Sequence, residues 1–255
     1  MENKKNKKLL VVGSLFIVVV LFFVGKRGGK ELSLPVCEPI SKVYTPVHFF
    51  VDDSISSLRI EEFIDYSNLV LENSCIPIRR TLTGITKLDL TGFKSEDSGK
   101  LHQQLVLKVG NATLEPLQKT GSYYVLVLPK EFPFSQNSAG VAHVNFSRSF
   151  LVLSSDAEPH VLEHELGHLA WAWHDNTPIH WLKGQLLTEH HKQIKPYAFG
   201  AQCDEAGTVM TNAEKSLPVY SSPNVKYYGK SCGNAETADN ARHMREFAQS
   251  LMSVP

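Results

Sequence analysis

The sequence contains no C-x-x-C pair and no glycine-rich phosphate loop. A cysteine-built zinc site and a nucleotide cradle are therefore not expected. It also lacks internal repeats and low-complexity tracts. Excess charge of one sign is missing as well: 26 Lys/Arg balance 26 Asp/Glu over 255 residues. The balance is uneven along the chain. Residues 1–30 hold seven of the basic side chains and one acid, which leaves 19 basic against 25 acidic in the rest. A mildly acidic body does not offer the basic face that nucleic acid requires.

The basic start has an explanation of its own. Lys4, Lys5, Lys7 and Lys8 precede Leu9 to Val24, an apolar run broken only by Gly13 and Ser14. Sixteen residues make roughly 24 Å of helix, a little short of a ~30 Å hydrocarbon core, and flanking lysines can snorkel to cover the difference. The run ends Phe22-Phe23-Val24-Gly25-Lys26-Arg27, without the small residues of a signal-peptide cleavage site. An uncleaved signal anchor is the favoured expectation and a cleaved signal peptide the alternative. The expected division is a basic cytoplasmic tail at 1–8, a transmembrane anchor at 9–25, a linker at 26–45 and a folded domain at 46–255. The denser basic cluster before the run places the N-terminus inside and the body on the extracytoplasmic side, periplasmic or extracellular.

All four cysteines, Cys37, Cys75, Cys203 and Cys232, lie beyond that run. An even count in an exported chain suggests two disulfides, and Cys37–Cys75 with Cys203–Cys232 is the expected pairing. Four buried thiols are the alternative.

Apolar runs at 47–51, 76–90, 123–128, 139–145 and 150–153 read as strands, with Ser147-Arg148-Ser149 as a tight connection. Helical spacing appears at 54–72 and, less sharply, at 100–109. Asp156 offers an N-cap for a helix running to about Ala170, and a last helix covers about 235–252. Residues 175–228, with four prolines, read as loop-rich. The order predicts one α+β (α/β-like) domain over a mixed twisted sheet, monomeric.

The chemistry concentrates in His164-Glu165-Leu166-Gly167-His168-Leu169-Ala170-Trp171-Ala172-Trp173-His174-Asp175. Positions i and i+4 share a helix face, so His164 and His168 can aim two imidazoles at one ion. Glu165 follows the first ligand, where its carboxylate can reach a water on the metal without ligating. A continuing helix would carry His174 roughly 9 Å beyond His168, so for His174 to join them the helix must end and turn back. Three imidazoles plus water would make an open, catalytic zinc site. His160, one turn before His164, is either a neighbour of the site or an exposed helix residue. His190 and His191 read as surface residues; His48, His102, His143 and His243 as structural ones.

This eleven-residue pattern resembles the metzincin metallopeptidases, whose motif is H-E-x-x-H-x-x-G-x-x-H with a methionine turn downstream. Gly207-Thr208-Val209-Met210-Thr211 is similar to that turn, with Met210 beneath the metal. Asp175 after the third histidine resembles the reprolysin branch. Tyr220-Ser221-Ser222-Pro223-Asn224-Val225 and Ala238-Asp239-Asn240-Ala241-Arg242 resemble bacterial reprolysin-like enzymes, including the peptidyl-Asp metallopeptidases. The resemblance covers about 45–250, with its specific part at 160–242. It implies a zincin-like catalytic domain with an active-site helix and a C-terminal helix. It implies Zn2+ on His164, His168 and His174, Glu165 as general base on a zinc-bound water, and Asp175 as a supporting residue. It implies that Gly140, Val141 and Ala142 form the sheet edge that binds a peptide or protein substrate. A preference for Asp would call for a cation in the pocket after Met210, with Lys215 and Lys226 as candidates. The family's turn glycine falls at Trp171. Either the turn is rebuilt, or aromatic packing offsets a left-handed backbone, or His174 is not a ligand. The alternatives to a membrane-anchored zinc endopeptidase are a non-peptidolytic zinc-binding or adhesion ectodomain and a metal-dependent cell-wall peptide amidase.

Overall fold

The computed structural model describes residues 31–253, so the expected tail at 1–8 and anchor at 9–25 lie outside the described residues. Among the described residues no helix is long and apolar enough to cross a membrane.

Strand β1 (Leu32–Ser33) is followed by β2 (Val43–Asp52), helix α1 (Ser57–Asn73) and β3 (Ile78–Leu88). Helix α1 starts where the Ser56 hydroxyl accepts from Arg59 N–H at 3.3 Å. Next come α2 (Ser98–Val109), a single turn α3 (Asn111–Leu114) and β4 (Tyr123–Leu128). Asp97 caps α2 by accepting from Lys100 N–H at 2.8 Å. Helix α4 (Pro133–Asn137), β5 (Gly140–Ala142), β6 (Phe150–Ser154) and α5 (Val161–Leu169), which carries the histidine motif, follow.

The main sheet has the order β3-β2-β4-β6-β5. Four strands run parallel and β5 runs antiparallel to β6, with Val141 opposite Val152. Parallel strands covered on both faces read as continuous apolar runs, and every residue of β4 is buried. The pleat sends Phe49, Val51, Val125, Val127, Leu151 and Leu153 to one face, where Ile60 and Phe63 of α1 and Leu162 and Leu166 of α5 meet them. Phe50, Leu126, Leu128 and Val152 point the other way, against Leu101 and Leu105 of α2. Each such side chain contributes about 1.5–3 kcal/mol by leaving water.

Beyond α5 lie α6 (Ile179–Gln185), β7 (Gln202–Cys203), β8 (Ala206–Gly207), β9 (Ser222–Tyr227), β10 (Lys230–Cys232) and α7 (Asn240–Met252). The stretch expected to be loop-rich therefore carries α6, the β7–β8 pair and β9, which joins β1 and β10 in a small sheet. The C-terminal helix starts five residues later than expected, where Asp239 accepts from Arg242 N–H at 3.0 Å. Its Met244, Phe247 and Ala248 pack on Met210, Tyr220 and the end of α1.

Cys37 is bonded to Cys75 and Cys203 to Cys232, the expected pairing. The loops they close span 38 and 29 residues, worth about 3.5–4 kcal/mol each in the chain-entropy model. The described part of the expected linker is thereby fastened to the domain, at Cys37 and through the pairing of Leu32–Ser33 with β9.

Candidate metal centre

Helix α5, which carries His164 and His168, does not start as expected. Asp156 accepts the hydroxyl of Ser154 instead of capping the helix. The helix begins at Val161 after His160, with no side-chain cap. What sets it is burial: Leu162 and Leu166 enter the sheet core, and Glu163 is fully buried.

His164 and His168 lie one turn apart on α5. The helix ends at Leu169 in a two-bond closure. Trp171 N–H donates to His168 O at 2.9 Å, and Ala172 N–H donates to Gly167 O at 2.9 Å. This closure needs a left-handed residue after the cap, usually glycine. Trp171 takes that position with φ 70°. The left-handed turn is thus built here with tryptophan, at about 1–2 kcal/mol. Its indole is buried, 6.3 Å from Trp173 and 5.0 Å from His190, with the Arg148 guanidinium 5.3 Å above the ring. His190, expected at the surface, is a partner in this packing. Trp173 then bonds both ways to the 198–200 segment, donating to Ala198 O at 2.9 Å and accepting from Gly200 N–H at 2.8 Å. That ladder returns the chain and sets His174 beside the helix.

His174 Nε2 stands 2.9 Å from His164 Nε2 and 3.0 Å from His168 Nε2. His164 Nδ1 donates to Val209 O at 2.8 Å and His168 Nδ1 to Ala172 O at 2.9 Å. A carbonyl only accepts, so both protons sit on Nδ1 and both Nε2 lone pairs face inward. One proton on His174 can satisfy only one of them; a shared cation satisfies all three. Ligand atoms roughly 3.3 Å apart surround a tetrahedral zinc with bonds of about 2.05 Å, close to the spacing here. Burial pushes His164 down to about 4 and His168 well below its ordinary value, and lowers His174, where the Asp175 charge opposes the fall. Neutral imidazoles held by backbone carbonyls are what a zinc site requires.

Glu165 is 6% exposed and lines a cavity of about 490 Å³ together with the three histidines, Gly140, Val141 and Ala142. Burial raises its carboxyl to about 8, against the opposing effect of the Ala142 backbone. Met210 is fully buried beneath α5: a methyl added at Gly167 would lie 2.6 Å from its Sδ. A methyl at Gly140 would lie 2.7 Å from Val161 Cγ1 and 3.0 Å from Glu165 Cγ. Both glycines are close-approach positions, one on α5 against Met210 and one at the sheet edge.

Among the described residues that line the cavity, neither candidate cation, Lys215 nor Lys226, is found. Thr211, Asn212 and Ala213 line the cavity after Met210, whereas Lys215 pairs with Glu31 at 2.7 Å. Lys226 sits on β9 opposite Ser33. His160 does line the cavity. Sequence reasoning missed the buried pair behind the site. Arg80 of β3 meets Glu163 with two bonds, at 2.9 and 3.0 Å, and the Tyr220 hydroxyl donates to the same carboxylate at 2.9 Å. Both charged side chains are fully buried. A buried glutamate one position before the first histidine was the available signal.

The fold is a mixed α+β domain with a histidine triad at one end of its sheet. No family model matches the chain. No curated protein matches it. A solved structure described as "Structure of a chaperone-substrate complex" aligns with a TM-score of 0.61 at 16% identity, over 84% of this chain and 35% of the other. The chain thus spans about a third of that neighbour, and the likeness concerns the fold alone. Metalloproteinase-II from Bacteroides fragilis aligns with a TM-score of 0.45 at 16% identity, over 84% and 56% of the two chains. Archaemetzincin from Methanopyrus kandleri aligns at 0.33 and 14% identity, over 82% and 96%.

Proposed function

We propose that this chain is a zinc-dependent endopeptidase of the metzincin type. The observation that carries the proposal is the convergence of three imidazole Nε2 atoms in a cavity whose wall also holds Glu165 and a sheet edge. When bound, zinc supplies Lewis acidity, polarising the scissile carbonyl and acidifying water. His164, His168 and His174 would hold it, with His164 and His168 oriented by Val209 O and Ala172 O. Glu165 takes the proton of the attacking water on its carboxylate and passes it to the leaving amine. A neighbouring cation favours its ionised form, which offsets the rise caused by burial. The free edge of β5 receives the peptide in an extended conformation by main-chain hydrogen bonds, and Gly140 keeps that edge close to Glu165. We place the domain on the extracytoplasmic side, behind an anchor at 9–25; two disulfides support an oxidising compartment.

The test is zinc content and cleavage of denatured casein by wild type and Glu165→Gln. Both should carry one zinc per chain. The variant should be slower by about 10²–10⁴, the contribution of a general base. Equal rates in the two proteins would overturn the peptidase proposal. Cleavage of peptidoglycan stem peptides but not of casein would reassign the site to cell-wall amidase chemistry.

A further inference from the structure

A second cavity, of about 440 Å³, adjoins the metal centre and shares His168, His174 and Ala142 with the first. The chemistry of its walls is different. The cavity beside Glu165 is bounded by small and polar side chains after Met210. The second has a larger apolar wall, formed by Val144, Trp173, Trp181, Leu182 and Leu186, with His143, Asn145, Thr177 and Gln185 also lining it. It lies between the continuation of the edge strand and α6.

The cavity's outer wall is held in place. Leu182 is buried in the main core, with Leu186 packed against it. Asn145, just past the edge strand, clamps the end of α6: its Nδ2 donates to Gln185 O at 2.8 Å and its Oδ1 accepts from Leu187 N–H at 3.0 Å. His191 caps the same end, with its Nε2 2.9 Å from Lys183 O. Within this fixed frame Trp181 remains 53% exposed. An exposed indole on the rim of an apolar cavity that opens on the metal ligands is placed to cover a ligand side chain.

We infer that this cavity receives a large apolar or aromatic side chain of the substrate, on the amino-terminal side of the cleaved bond; the inference rests on the peptidase proposal. The direction follows from the edge strand. A peptide added antiparallel to Gly140–Ala142 runs from the Asn145 end towards Gly140. Its residues before the cut meet the Trp181 cavity, and those after the cut meet Thr211–Ala213. Burying one methylene changes specificity by about 10–200-fold, so a Phe-for-Ala exchange at this position falls in or above that range.

The experiment has two arms. In the first, wild type and Trp181→Ala digest a peptide library whose cut sites are read by mass spectrometry. Wild type should favour Phe, Leu, Met or Trp within three residues before the cut, and Trp181→Ala should reduce that preference about tenfold. Cleavage elsewhere should continue, since Trp181 belongs to α6 whereas His164, Glu165 and His168 belong to α5. A flat profile, or one that Trp181→Ala leaves unchanged, overturns the inference while leaving the peptidase proposal intact. In the second arm, zinc-loaded Glu165→Gln binds fluorescent peptides that differ only in Phe or Ala at that position. Preference for Phe, lost in the Trp181→Ala double variant, supports the cavity's role even if no peptide is cut. Equal binding overturns it.

Discussion

The backbone N–H of Trp171 donates to the carbonyl of His168 across 2.9 Å, with Trp171 itself at φ 70°. One metal-ligand candidate is thereby tied to the turn that delivers another. The turn is paid for by a buried indole. Truncating a buried tryptophan costs about 3–5 kcal/mol, whereas glycine would release about 1–2 kcal/mol of left-handed strain. Trp171→Ala loses the indole and keeps the strain; Trp171→Gly loses the indole and the strain together. We expect both to be destabilised in urea, and Trp171→Gly to be the more stable by about 1 kcal/mol. Isothermal titration should show zinc affinity better preserved in the glycine variant.

Gly167 and Met210 form a second coupled pair. A Cβ at 167 would stand 2.6 Å from Met210 Sδ. Gly167→Ala should therefore destabilise by about 1–3 kcal/mol through overpacking. Met210→Ala alone should cost about 2–5 kcal/mol, and the double variant should lose less than the two single losses summed, because the truncation empties the space the methyl needs. A double-mutant cycle in urea reads the coupling, and strict additivity would count against the contact.

Arg80 and Glu163 lie 83 positions apart and meet with both side chains buried. Glu163→Leu alone leaves a buried guanidinium without its partner and should cost about 3–5 kcal/mol. The double exchange Arg80→Met with Glu163→Leu should be far milder, close to neutral. Chemical denaturation of the three proteins at fixed pH provides the comparison.

The fourth prediction concerns pH. His243 of α7 is buried and its Nε2 bonds the Ala170 carbonyl at the end of the metal helix at 2.7 Å. Burial lowers its pKa, outweighing the Ala170 carbonyl, which acts in the opposite sense. The unfolded chain, with a histidine near about 6.5, then binds more protons than the folded one at mildly acid pH. Its contribution to stability is full above about pH 6.5 and falls as pH drops from there towards the folded value. With chelator present throughout, wild type should lose more stability between pH 8 and pH 5 than His243→Gln. Equal losses would mean that His243 does not titrate in this way.

Much of the sheet was legible because its strands are fully covered. Tyr123–Leu128 is an unbroken run of strand-forming apolar residues, and a strand buried on both faces requires that pattern. The disulfides were legible because four cysteines offer few pairings. Asp156 was misleading for a local reason: a carboxylate that can cap a helix can equally accept a nearby hydroxyl, and here Ser154 wins. Helix α6 and the β9 strand were hidden in a proline-rich stretch whose order comes from remote partners, Asn145 for one and Leu32–Ser33 for the other. Lys215 was a candidate for the pocket only until its partner Glu31, 184 positions away, could be seen.

By itself the sequence determined that His164 and His168 share a face of one helix with Glu165 between them, since 3.6 residues per turn allow no other arrangement once the helix forms. His174 was a different matter. Its arrival beside them depends on a left-handed tryptophan, which local preference disfavours by about 1–2 kcal/mol. The tertiary structure overrides that preference with the packing of Trp173, His190 and Arg148 on the buried Trp171 indole and with the Trp173–Ala198 ladder. Helical periodicity is a local property and could be read along the chain; the turn that completes the triad exists only because distant residues come together to hold it.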